Sequence, residues 1–163
     1  MISKTLDIDL SQTQECNFSF IRGDSFQLIV NVKNNGTTFD MSGYYPILTG
    51  KATETATSAS FQLYGADVDI TNAGTGQLIF TFKPADTETL TAGVYFYDVQ
   101  IDNGTQIYTL IKSTIELIQD ITTYAFQLNL VTDDYEIKLI TEDSKNIITE
   151  FIVTGKQIGR AHV

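Results

Sequence analysis

Apolar residues recur at every second position along most of this chain, and short turn signals interrupt them every eight to twelve residues. A side chain at i and one at i+2 share a face only in an extended strand, so this pattern constrains the fold more than any other feature. Phe26, Leu28, Val30 and Val32 form one such face, and Asn34-Asn35-Gly36 follows as a hairpin turn. Thr37 to Asp40 resumes as a short strand. Residues 44 to 50 read as another strand, with Pro46 placing it at a sheet edge. Lys51 to Ser60 reads as a mobile connection or a strand edge. Phe61 to Tyr64 and Val68 to Ile70 are short strands, and Asn72 to Gly76 is a turn. Leu78, Phe80 and Phe82 give the next apolar face.

Pro84-Ala85-Asp86-Thr87 breaks the alternation. A proline at an early helical position with acidic residues in the first turn suits a single helical turn. Val94 to Ile101 is a strand, Asp102-Asn103-Gly104 a hairpin turn, and Gln106 to Ile118 a long return strand. Both strands are apolar on both faces in places, as central strands are. The expected fold class is all-β, an immunoglobulin-like antiparallel β-sandwich of seven to nine short strands over residues 1–120. In Leu90 to Tyr97 a helical turn precedes Gly-x-Tyr-x, so Tyr95 is expected to bond main chain at the corner. Tyr97 occupies the position where antibody domains place a cysteine.

Residues 121–157 are expected to begin a second, truncated β module, with strands around Phe126 to Leu130, Tyr135 to Ile140 and Ile147 to Val153. Residues 158–163, Ile-Gly-Arg-Ala-His-Val, reverse-translate to ATC GGA AGA GCA CAC GTC, part of a common sequencing adapter, and Gln157 as CAG supplies the preceding bases. They are expected to be an artefact of a metagenomic assembly, which makes Arg160 and His162, the single histidine, artefacts too.

Charge narrows the function. The chain carries 10 basic and 20 acidic residues; without Arg160 the balance is 9 against 20. Phosphate backbones and anionic membranes are recognised by concentrated basic faces, so neither nucleic acid nor membrane is expected as a partner. No run of apolar residues is long enough to span a membrane, and no secretion signal opens the chain. Cys16, the only cysteine, cannot form an internal disulfide and is read as a small buried hydrophobe.

Catalytic patterns are poor. Without a genuine histidine there is no histidine-dependent triad. Asp67 and Asp69 share a strand face, with Asn72 nearby, but their spacing does not match a calcium loop, and a solvated face is preferred. Asp133-Asp134 reads as a turn. Arg22-Gly23-Asp24 matches an adhesion tripeptide but is read as a bend between two strands. The expectation is a non-enzyme with no cofactor and no metal. Tyr44, Tyr45 and Tyr64 are the candidate interaction residues, as rings that could stack on sugars, although packing is the preferred reading of tyrosines at strand ends.

Four ordered segments carry a resemblance: Phe20 to Phe26, Phe39 to Tyr44, Gly76 through Ala92 to Val99, and Tyr108 to Lys112 ending at Asp120-Ile121-Thr122. Over about residues 15 to 122 the chain resembles the immunoglobulin-like β-sandwich of tailed-phage virion proteins, including the N-terminal domain of baseplate upper proteins and small tail- or fibre-associated proteins. The resemblance implies a structural protein, made in the bacterial host cytoplasm and located in the virion. It would dock onto the particle, contact other virion proteins, form a homo-oligomer in the assembly and carry a downstream module. The rival reading is a carbohydrate-binding or adhesive module of a bacterial surface protein. A glycan-degrading enzyme would need its carboxylate pair beyond this stretch of chain. The stretch Leu6 to Gln14, with Leu6, Ile8 and Leu10 alternating, is expected to join its own sheet in preference to a neighbour's.

Overall fold

Strands with one apolar face must bury it against another sheet, and the computed structural model resolves the alternation into two five-stranded sheets packed as a sandwich. It describes residues 1–12 and 14–121, and three later strands by their backbone alone. Two compact units emerge, Met1–Asp120 and Ile121–Val163.

In the first unit the strands are β1 (Ile2–Asp9), β2 (Phe18–Ile21), β3 (Phe26–Asn34), β4 (Thr37–Thr38), β5 (Tyr45–Lys51), β6 (Phe61–Tyr64), β7 (Val68–Asp69), β8 (Gln77–Phe82), β9 (Gly93–Asp102) and β10 (Ile107–Ile118). One sheet runs β1-β3-β8-β7, with β4 hairpinned onto β3. The other runs β2-β10-β9-β5-β6. The single helical turn α1 (Pro84–Thr87) lies between β8 and β9, with Pro84 in its first turn and the Lys83 main-chain N–H donating to the Asp86 carboxylate at 2.6 Å.

The expected apolar faces form the core. Leu28, Val30, Phe80, Phe82, Leu48, Leu63, Val99, Ile101 and Ile115 have essentially no solvent exposure. At one end rings fill the space between the sheets: Phe20 stacks on Phe26 at 4.6 Å between centroids, Phe82 tilts against Phe20 at 5.0 Å, and Phe61 meets Phe82 edge-on at 5.7 Å. Offset and edge-on packing of this kind adds to area burial. The Asn34-Asn35-Gly36-Thr37 hairpin forms as read, with left-handed φ at Asn35 (51°) and Gly36 (75°).

Two expectations change, and one open alternative is decided. Strand β5 is not an edge strand; it lies between β9 and β6. Pro46 is tolerated because pairing to β6 begins only at Ile47, opposite Tyr64, so the side where Pro46 lacks an N–H has no partner strand. Of the two readings of Lys51 to Ser60, the connection is the one that forms, with no strand beyond Lys51. It is a looped excursion closed at its base by the Ser60 N–H donating to the Gly50 carbonyl at 2.7 Å. And the doublet Leu110-Ile111 does not mark a strand buried on both faces. The register slips between Thr109 and Ile111, a β-bulge that turns both side chains inward. The outer faces of β9 and β10 are otherwise mostly polar or half-exposed.

The N-terminal residues join their own sheet, as preferred, but in parallel: β1 pairs with β3 from Ile2↔Phe26 to Asp9↔Lys33, burying Leu6 and Ile8. Strand β2 also pairs in parallel, with the last four residues of β10. The chain therefore leaves one sheet after β1 and enters the other at β2.

The second unit has β11 (Gln127–Thr132), β12 (Tyr135–Ile140) and β13 (Glu150–Thr154) as an antiparallel sheet. The expected turns at Asp133-Asp134 and residues 142–146, the side chain of Phe126 and residues 158–163 lie outside the described residues.

Candidate functional site

The corner before β9 forms as its sequence implied. The Tyr95 hydroxyl donates to the Thr91 carbonyl at 2.9 Å, four residues upstream. Tyr97, two residues on, is buried and donates to the Cys16 carbonyl at 2.6 Å. Burial raises its phenol well above the ordinary tyrosine range. Where antibody domains tie two strands by a disulfide, this chain ties β9 to the segment between β1 and β2 by a buried hydrogen bond. Cys16 is a buried free thiol, and desolvation raises its pKa, as its reading as a small hydrophobe requires.

Arg22-Gly23-Asp24 is a packed turn. The Asp24 N–H donates to the Ile21 carbonyl, Gly23 takes a φ of 81°, and the Arg22 Nη1 donates to the Leu90 carbonyl at 2.6 Å. The Gly23 N–H donates to the Oγ1 of fully buried Thr87 at 2.9 Å. The guanidinium thus clamps the β2–β3 turn onto the turn after α1. Nothing in the local sequence marked Thr87 as the partner of the Gly23 N–H, because the two are 64 residues apart.

Asp67 and Asp69 do not share a strand face. Asp67 sits in a 3-10 turn and pairs with the Lys83 ammonium, while Asp69 accepts the Thr71 N–H at 2.8 Å. Among the described residues no group of three acidic, histidine or cysteine side chains is placed to hold a metal ion. No described helix is long and apolar enough to cross a membrane.

The candidate tyrosines separate. Tyr44 is half-buried, its ring 6.0 Å from Tyr108 and 6.4 Å from Phe39, with its hydroxyl 3.2 Å from Gln106 Oε1. It closes one end of the core. Tyr45 and Tyr64 are 75% and 59% exposed. Their registers put both on the outer face of the second sheet. Tyr64 lies in a row with Ile47, Gln100 and Thr109, and Tyr45 lies in the next row with Asp102 and Ile107.

From the Gln100 row this face continues as a groove of about 750 Å³. Its floor includes Thr49, Gln62, Asp98, Gln100, Thr109 and Lys112, and the 52–60 loop forms its wall. That loop reaches across to β10, where the Glu54 carboxylate lies 3.6 Å from the Lys112 ammonium. Within the floor Gln62 donates to Thr49 at 3.1 Å, and Gln100 to Asp98 at 3.2 Å. Sequence reading found the two tyrosines but not the groove, since its wall is a Thr- and Ala-rich segment without a periodic signal.

The outer face of the first sheet carries a different polar arrangement. Asn72 donates to Gln77 at 3.3 Å, Gln77 to Asn31 at 2.9 Å, and Asn31 to the Asp7 carboxylate at 2.8 Å. This ladder stitches β1, β3 and β8 together.

No family model matches the chain, and no curated protein matches it. Among solved structures it is similar to the N-terminal domain of phage TP901-1 ORF48, with a TM-score of 0.42 and 12% identity, over 74% of this chain and 99% of that one.

Proposed function

We propose that the chain is a non-enzymatic structural component of a tailed-phage particle, docking through its sandwich and carrying the unit that follows Asp120. The observation that carries this reading is the placement of the four resembling segments. They fall in order on the β2–β3 turn, the β4–β5 connection, the stretch from β8 through α1 to β9, and β10. The Tyr95 corner closes as in an immunoglobulin-type sandwich. A sandwich held by its own core, with the chain leaving from the end of β10 into a second β unit, suits a domain that anchors and presents. Fold by itself does not assign function, so the test is physical location.

Mass spectrometry of particles banded from the source sample is expected to recover peptides from both units together with capsid and tail proteins. Recovery in a bacterial cell-surface fraction and not in particles would replace this reading with that of a surface adhesive module.

A further inference from the structure

The outer face of the β6-β5-β9-β10 sheet combines three features on one surface. Two tyrosine rings, Tyr45 and Tyr64, stand 75% and 59% exposed beside Ile47. Next to them lies a groove of about 750 Å³, within the range of about 300–1,000 Å³ typical of small-ligand sites. Its floor presents amide, hydroxyl and carboxylate groups from Gln62, Gln100, Thr49, Thr109 and Asp98.

We propose that this groove binds an uncharged glycan chain, with the sugar rings laid along the floor and one ring stacked on Tyr64. Each part of the surface suits that chemistry. The exposed ring faces match the apolar C–H face of a pyranose, while the tyrosine hydroxyl stays in water. Side-chain amides and a carboxylate offer paired donors and acceptors to neighbouring sugar hydroxyls. The two lysines of the lining, Lys51 and Lys112, are balanced by the carboxylates of Asp98 and Glu54, the latter 3.6 Å from Lys112, and the chain as a whole has a net charge of −10, so an anionic polymer is disfavoured. The rows that hold Tyr64 and Gln100 in line are set by the β5–β6 and β5–β9 registers, so the platform exists without ligand. The inference does not depend on the virion reading.

The experiment is a glycan array probed with the full chain, followed by calorimetry with the strongest neutral oligosaccharide. Binding to neutral glycans is expected, and Tyr64→Ala and Gln100→Ala are each expected to weaken it about tenfold or more while thermal midpoints stay unchanged. Gln27→Ala, on the outer face of the opposite sheet, is expected to leave affinity intact. The proposal is overturned if no glycan binds, if only acidic glycans bind, if Gln27→Ala weakens binding as much, or if cross-linking places another protein in the groove. A particle protein that binds no glycan would overturn this inference alone. A glycan binder absent from particles would overturn the virion reading alone.

Discussion

The Tyr97 hydroxyl donates to the main-chain carbonyl of Cys16 across 2.6 Å, in the interior and 81 residues away in sequence. This bond holds the crossover between β1 and β2, the segment that carries the chain from one sheet to the other. Tyr97→Phe keeps the ring, which meets Phe18 edge-on at 5.4 Å, but leaves a buried carbonyl without its donor. That costs about 1–3 kcal/mol. Denaturant titration is expected to show a lower midpoint with an unchanged slope; an unchanged midpoint would mean that the bond contributes nothing to stability.

Gly50 lies under the Phe61 ring, and a Cβ there would come within 2.0 Å of Phe61 Cζ. The ring has little freedom to retreat, since it packs against Phe82 and Tyr95 at 5.7 and 6.0 Å. Gly50→Ala is therefore expected to destabilise by about 1–3 kcal/mol through overpacking. Thermal unfolding of Gly50→Ala alone and combined with Phe61→Leu checks the cause: part of the loss should be recovered in the double variant.

Asp9 ends β1 and caps the β3–β4 hairpin. Its carboxylate accepts from the Ser11 hydroxyl and main chain at 2.6 and 3.0 Å, and from the Asn35 and Gly36 N–H groups at 3.0 and 2.8 Å. These bonds favour the ionised form and lower its pKa to about 2. The folded value lies below the unfolded one, so the stabilisation is present in full above the ordinary carboxylate range and fades as pH falls toward 2. Carboxyl NMR titration is expected to give a midpoint near 2 for Asp9. Asp9→Asn should flatten the acid limb of the stability profile; an ordinary midpoint would show that the cap does not hold in solution.

Cys16 is 5% exposed, and its burial raises the thiol pKa. The thiolate is the reactive form, so a neutral-pH thiol reagent is expected to label the native chain slowly and the denatured chain at once. Fast native labelling would mean that the β1–β2 crossover opens readily.

Arg22→Lys is expected to loosen the β2–β3 turn, because an ammonium on a flexible stem does not reproduce the guanidinium contact to the Leu90 carbonyl. Hydrogen exchange at the Gly23 and Asp24 amides should accelerate, with the exchange of β9 amides unaffected.

Much of the sandwich was legible from local chemistry. The faces Phe26 to Val32 and Leu78 to Phe82 follow from period-two alternation, the Asn35-Gly36 hairpin from left-handed φ, the Pro84 turn from proline, and the Tyr95 corner from a short motif. Each depends on residues within a few positions of one another, where sequence order and spatial order coincide. The candidate site was half legible: Tyr45 and Tyr64 stood out as aromatic residues at strand ends, but so did Tyr44, which packs on Tyr108.

Sequence by itself determined which residues turn inward, where the chain reverses, and that acidity disfavours polyanions. Only the tertiary structure decided which strands become neighbours. The parallel pairs β1–β3 and β2–β10, the interior place of β5, the Tyr97–Cys16 bond and the loop that walls the groove over Gln100 are all long-range. The physical reason is that a strand's alternation specifies its buried face but not the partner at its edge. Main-chain donors and acceptors are alike in every strand, so the choice of partner falls to the packing of the whole core.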